Sequence, residues 1–186
     1  MTTEKFFGFL TLNRNENENS YLGALLVVDV MSRPIEFRVT FPVKPTAIQR
    51  PLYGDVLEPY IGVELCGKQL IESVDHKLDC VIVNQEYLLE IRKDINCPVI
   101  YAQRAGEVIE ISSTESIKPP GKKTQINSTS GRFQPIVISS SPREPEDSIS
   151  AKEMVERLFE DIDLLEPFER IENALGVLVS QDERFK

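Results

Sequence analysis

Leu22-Gly-Ala-Leu-Leu-Val-Val-Asp29, a polar break ending in Met31-Ser-Arg-Pro34, and Ile35-Glu-Phe-Arg-Val-Thr-Phe41 form the stretch that decides the fold. The first arm is an unbroken apolar run, as expected of a strand buried on both faces. The second arm alternates. Ile35, Phe37, Val39 and Phe41 point one way and Glu36, Arg38 and Thr40 the other, which predicts a strand with one face in water. A short connection containing Pro34 joins them, so the stretch reads as a β-hairpin at the heart of a sheet.

Working outward, Phe6 to Leu12 is aromatic and β-prone and predicts a strand before the hairpin. Asn13 to Ser20, almost wholly Asn, Glu and Arg, can bury nothing and reads as an exposed turn. Downstream, Pro42 and Pro45 end the third strand, because proline cannot donate to the ladder. Thr46 and Gln49 have capping-box spacing for a short helical turn. Val56, Tyr60, Val63, Gly67, Leu70 and Val74 then recur at helical steps behind Asp55 as N-cap, predicting one long amphipathic helix. Gly62 and Gly67 interrupt it, which points to close approach of this helix to the sheet. Leu78 to Val83 and Cys97 to Tyr101 are apolar strands separated by a short helix from Asn84 to about Asp94. That is a βαβ unit, hence a parallel pair with a right-handed crossover. Glu107 to Ile111 reads as a charged edge strand.

The predicted architecture is α/β, a mixed sheet of three antiparallel strands followed by a βαβ unit, over residues 4–112. Composition shifts to Ser, Thr, Pro, Gly and Lys over 113–148, which predicts a flexible linker. Phe133 to Ile138 is a β-prone island inside it, able to add to an open sheet edge of this chain or of another. Residues 149–183 predict an acidic helical tail, opened by a capping box (Ser150 with Glu153) and a staple (Ile149 with Met154). Its apolar stripes include Leu158, Phe159, Leu165, Phe168 and Ile171. Short helices with exposed stripes are marginal in water, so these faces must pack on something.

Apolar residues make up 41% of the 186-residue chain and charged residues 27%, the balance of an ordinary globular protein. No run approaches the roughly 18 apolar residues of a membrane span, and no secretory signal opens the chain. Cys66, Cys80 and Cys97 are scattered and odd in number, as reduced thiols in a cytoplasmic core would be. Net charge is −9. Thirteen acids against six bases from Arg143 to Lys186 account for most of it. An acidic chain without a basic stripe repels phosphate, so nucleic acid is not the expected partner. Lys118, Lys122 and Lys123 form one small basic cluster, read as solvating the linker.

Chemical signatures are sparse. His76 is the single histidine and lies in a polar turn, with no nucleophile placed near it by the pattern. Zinc-type spacing, phosphate-cradling glycine loops and a nucleophile elbow are all missing from the sequence.

The element order from Phe6 to Tyr101 resembles that of the RNase H-like fold, which hosts metal-dependent nucleases and transposases. In active members, acids on the first strand, the first helix and the end of the fourth strand hold two divalent ions. At the matching places this sequence has Thr11 and Asn13 on the first strand and Asn84 at the fourth, with Glu58 or Glu64 on the helix. Asp29, Asp79 and Glu86 are the other acids that a different geometry could recruit.

The leading expectation is therefore a non-catalytic accessory subunit that joins a larger cytosolic complex through its tail. Leu158, Phe159, Leu165, Phe168 and Ile171 are its expected anchors, with a protein partner, no cofactor, no metal and no membrane. The rival is a metal-dependent nuclease or phosphodiesterase using Asp29, Glu58 and Glu64. A third reading is a small-ligand sensor with its site near Asn84 and Gln103, at the carboxyl ends of the parallel strands.

Overall fold

The hairpin forms where the sequence places it. In the computed structural model, which describes residues 4–17, 19–107 and 123–185, β1 (Phe7–Asn15) and β2 (Ser20–Val28) pair antiparallel, and β3 (Pro34–Val39) pairs with β2. β4 (Cys80–Val83) lies parallel to β1 on its other side, with Phe7 beside Cys80 and Leu10 beside Val83. β5 (Val99–Arg104) is parallel to β4. Three antiparallel strands followed by a βαβ unit are thus as the sequence predicts. β6 (Lys123–Ile126) and β7 (Ile136–Ser140) extend this sheet, giving among the described residues the order β3-β2-β1-β4-β5-β7-β6.

Alternation along the strands divides the core. Leu10, Leu25, Val27, Val81 and Val83 face a layer made of a π-helical segment (Ile61–Gly67), α3 (Lys68–Glu72) and a 3-10 helix (Glu86–Asp94), which α1 (Gln49–Tyr53) and α2 (Leu57–Tyr60) precede in the chain. Phe7, Phe9, Leu26, Ile82 and Ile100 face α4 (Asp147–Asp161) and α5 (Glu166–Gln181). Burial on both faces is why β2 and β4 read as continuous apolar runs.

The anticipated helix from Asp55 to Val74 runs unbroken from Leu57 to Glu72, with a π-helical middle between two α-helical ends. Gly54 has φ +52°, in the left-handed region, and it separates α1 from the helical turns after it. Gly67 packs so closely that a Cβ there would stand 2.7 Å from the Gly62 carbonyl oxygen within the π-helical segment. Both helix glycines also approach β1, since a Cβ on Gly67 would stand 3.4 Å from Leu10 and one on Gly62 3.4 Å from Leu12, and the tightest approach is on β2. A Cβ on Gly23 of β2 would lie 2.5 Å from the Cys66 Cβ, so the glycine that admits the helix sits on the strand.

Two further expectations change. Part of the stretch read as linker is sheet: β7 pairs antiparallel with β5, so the Phe133–Ile138 island docks on its own domain. The edge strand expected at Glu107 to Ile111 falls mainly outside the described residues. The tail is core. Phe159 and Ile171 are fully buried, Leu158 and Phe168 nearly so, and Leu165 packs partly buried against the same cluster. These five residues are therefore not free to anchor a partner. Their stripes are covered by the second face of the sheet, whose extra width comes from β6 and β7.

The start of α4 also differs from the capping box read at Ser150 and Glu153. The helix begins four residues earlier, and the buried Asp147 carboxylate accepts from Arg92 Nε at 2.7 Å and from the Val99 N–H at 3.1 Å. Ser150 Oγ donates to the Asp147 carbonyl, and Glu153 pairs with Arg157 instead of the helix start. At α1 the reading holds: the Thr46 N–H and the Gln49 N–H each bond the other's side chain.

Candidate functional site

Parallel strands in an open α/β sheet bring their carboxyl ends together, and ligand sites form there. In this chain that edge is built from Leu10, Thr11 and Leu12 of β1, from Val83 with Asn84 and Gln85 after it, and from the end of β5. Arg14 lies just beyond on β1, exposed, with its guanidinium 5.9 Å from the Tyr21 ring centre. Arg50 bonds Asn19 in the β1–β2 turn at this same end.

β4 stops pairing with β1 at Leu10 and Val83, and a side chain continues the ladder. Gln85 Oε1 accepts from the Leu12 N–H at 3.2 Å, and Gln85 Nε2 donates to the Leu12 carbonyl at 2.8 Å. The amide thus satisfies both polar groups of Leu12 that the end of β4 would leave open. Asn84 does not cap the following helix; its Oδ1 is buried with no hydrogen-bond partner in the structure. Thr11 is buried and sits 3.5 Å from Gln85 Oε1.

The helical side of this edge is apolar. Leu12, Tyr21, Leu57, Ile61 and Cys66 form one buried cluster. A Cβ on Gly62 would meet the Tyr87 ring at 2.8 Å and Leu12 at 3.4 Å. Burial, followed by the nearby Glu58 carboxylate, pushes the Tyr87 hydroxyl far above its ordinary pKa. Burial likewise raises the Cys66 thiol, against a weak bond from the Thr40 hydroxyl, so the group stays protonated.

The acids singled out from the sequence do not meet here. Asp29 closes the β2–β3 turn, accepting from the N–H groups of Met31 and Arg33 and pairing with the Arg33 guanidinium. Val28, its neighbour, pairs with Phe7, five residues along β1 from Leu12, which separates the two ends by about 17 Å. Glu64 pairs with Lys93 on the outer helical layer. Asp79 accepts from the Phe6 N–H at 3.0 Å at the amino end of β4. Glu58 approaches the edge, and Glu86, exposed, follows Gln85 there at the start of the 3-10 helix. Among the described residues no three His, Cys, Asp or Glu side chains are grouped as a metal site requires. The two divalent ions of the resembled family need several oxygen ligands, and the residues present do not fit them.

The small-ligand reading gains no shared site. Asn84 and Gln103 belong to the ends of adjacent strands, but Gln103 Oε1 accepts from the Tyr101 hydroxyl at 3.1 Å along its own strand. Sequence reasoning missed Gln85. An amide two residues past a strand has no periodic signature, and only the register of β1 and β4 reveals its role.

His76, expected as a surface residue, is tied down. Its ring and backbone N–H bond Glu36, which also accepts from Arg38 and from the Asp75 N–H. Burial alone would raise the Glu36 pKa; the bonds from His76 and Arg38 and the two backbone N–H groups reverse that and hold it at about 2.

No protein-family model matches the chain, and no curated protein sequence does. Solved structures do. Endonuclease V from Ciona intestinalis, in complex with a 24mer DNA containing an inosine followed by a ribo-adenosine, has a TM-score of 0.51 at 15% identity, covering 94% of this chain and 87% of that one. A variant of the same enzyme on a 23mer DNA of the same kind gives 0.50 at 15%, covering 92% and 86%. This chain has the RNase H-like fold that its element order resembles, and the shared fold includes the tail. Two expectations are corrected by this comparison. An accessory subunit held in a complex by a protruding tail does not describe a chain whose tail is part of a nuclease fold. Nor does the expected exclusion of nucleic acid stand, since both neighbours hold DNA.

Proposed function

We propose that the chain acts on nucleic acid, engaging a DNA or RNA strand along the carboxyl ends of β1, β4 and β5. The observation that carries this reading is the similarity in fold to a DNA-bound endonuclease over 94% of this chain and 87% of that one. Fold alone does not determine function, so local features must also support it. Arg14 and Arg50 supply cations at that edge, and the carboxyl end of an open α/β sheet is its usual binding crevice. The net charge of −9 opposes a large phosphate footprint. Binding therefore rests on few phosphate contacts and weakens only gradually with salt.

The test is fluorescence anisotropy of the full chain with labelled single- and double-stranded DNA, inosine-containing DNA, and RNA, across a salt series. Saturable binding to at least one of these supports the reading, and no binding to any of them at low salt overturns it. Cleavage is followed on the same labelled strands with Mg²⁺ and with Mn²⁺. Any cleavage is expected to survive Glu64→Gln and Asp29→Asn, because neither carboxylate lies at the edge.

A further inference from the structure

We infer that the place where RNase H-like nucleases hold divalent ions is closed in this chain by an apolar plug, and that nucleic acid is engaged there without Mg²⁺ or Mn²⁺. This deepens the proposed function and rests on it. Three groups of residues carry the inference, one from each element that would have to supply an acid.

On β1 the matching positions are Thr11, buried, and Asn13, partly buried, neither of them an acid, and Leu10 and Leu12 beside them are packed under the helical layer. A hydrated ion cannot reach that side without displacing core. Past β4, Asn84 and Gln85 stand where a carboxylate is needed. Gln85 has both ends of its amide committed to the Leu12 backbone, so it is a structural clamp and not an open ligand. On the helix, Ile61 and Cys66 are each about 1% exposed, and Gly62 is backed by Tyr87 and Leu88 without room for a side chain. Glu58 is thus left against a hydrophobic wall, and the acid past β4 is Glu86, exposed at the start of the 3-10 helix. Among the described residues these acids belong to no cluster able to hold a metal, and the two-ion arrangement of the resembled fold needs several oxygen ligands between its ions.

Two measurements on the full chain test this, neither of which depends on turnover. Free Mn²⁺ is followed by its EPR signal as metal is added to protein, and the thermal midpoint is measured with and without millimolar Mg²⁺. The expected result is a free signal proportional to added metal and no shift in midpoint. Weak uptake unchanged by both Glu58→Gln and Asn84→Ala arises on the acidic surface and agrees with the inference. Saturable uptake abolished by either substitution overturns it. Nucleic-acid affinity is then compared in EDTA and in Mg²⁺ at matched ionic strength. Equal affinity is expected. Binding seen only with Mg²⁺ defeats the inference and leaves the proposed function standing, whereas no binding in either condition defeats the proposed function while the Mn²⁺ result still reads the plug.

Discussion

Gln85 and Glu36 show how single side chains replace what the backbone cannot supply. Truncating Gln85 strips the Leu12 N–H and carbonyl of their partners, and a half-buried pair left open costs about 1–3 kcal/mol. Urea unfolding of Gln85→Ala should show that loss; an unchanged midpoint would mean that water takes over the bonds. Glu36 makes a pH-dependent contribution. Its carboxyl titrates at about 2 in the folded chain against 4.5 unfolded, so its stabilisation is fully present above about 4.5 and is lost as pH falls toward 2. Thermal midpoints of wild type and Glu36→Gln should differ at neutral pH and converge in acid. Arg14 belongs to function. As a single phosphate contact, its replacement by alanine should weaken binding to all strands alike and reduce the salt slope by about 1.

At the scale of elements, α4 and α5 carry the largest surprise and the plainest prediction. Phe159 is fully buried within the cluster that also holds Phe9, Ile100 and Ile138. Phe159→Ala should cost about 3–5 kcal/mol in chemical denaturation, a loss a protruding tail helix could not produce. A chain ending at residue 142 would bare one whole face of the sheet and should lose cooperative unfolding. If it still unfolded cooperatively, the tail would be an appendage after all. The helical stripes of α4 and α5 were legible because period and charge agree. Their destination was not, since an amphipathic face looks the same whether its own sheet or another protein covers it.

β3 gives the complementary lesson. Its alternation was readable, and so was its pairing with β2. Yet Ile35 and Phe37 are 39% and 40% exposed, while the Glu36 side chain beneath the His76 turn is 8% exposed. The strand lies at the edge of the sheet, where helical cover thins, and binary pattern alone does not report position in a sheet.

For the whole molecule, the order of elements from Phe6 to Tyr101 was enough to indicate the RNase H-like fold. β6 was not read at all, and β7 only as a β-prone island whose partner the sequence left open, so the full width of the sheet was not legible. The candidate edge was legible in a negative sense: Thr11, Asn13 and Asn84 already mark the missing acids. What filled their place required three dimensions, because Leu12, Tyr21 and the helical pair Ile61 and Cys66 come from three elements and only the fold brings them together. Acidic net charge misled the assignment of partner, since it describes the whole surface and not one edge of it.

Backbone amide NMR of the full chain, titrated with a single-stranded oligonucleotide in EDTA, bears most directly on the account. Chemical-shift changes should concentrate at Arg14, Asn84 to Tyr87 and the end of β5, and should saturate without added metal. Changes confined to other surfaces, or a spectrum that does not respond until Mg²⁺ is supplied, would contradict it.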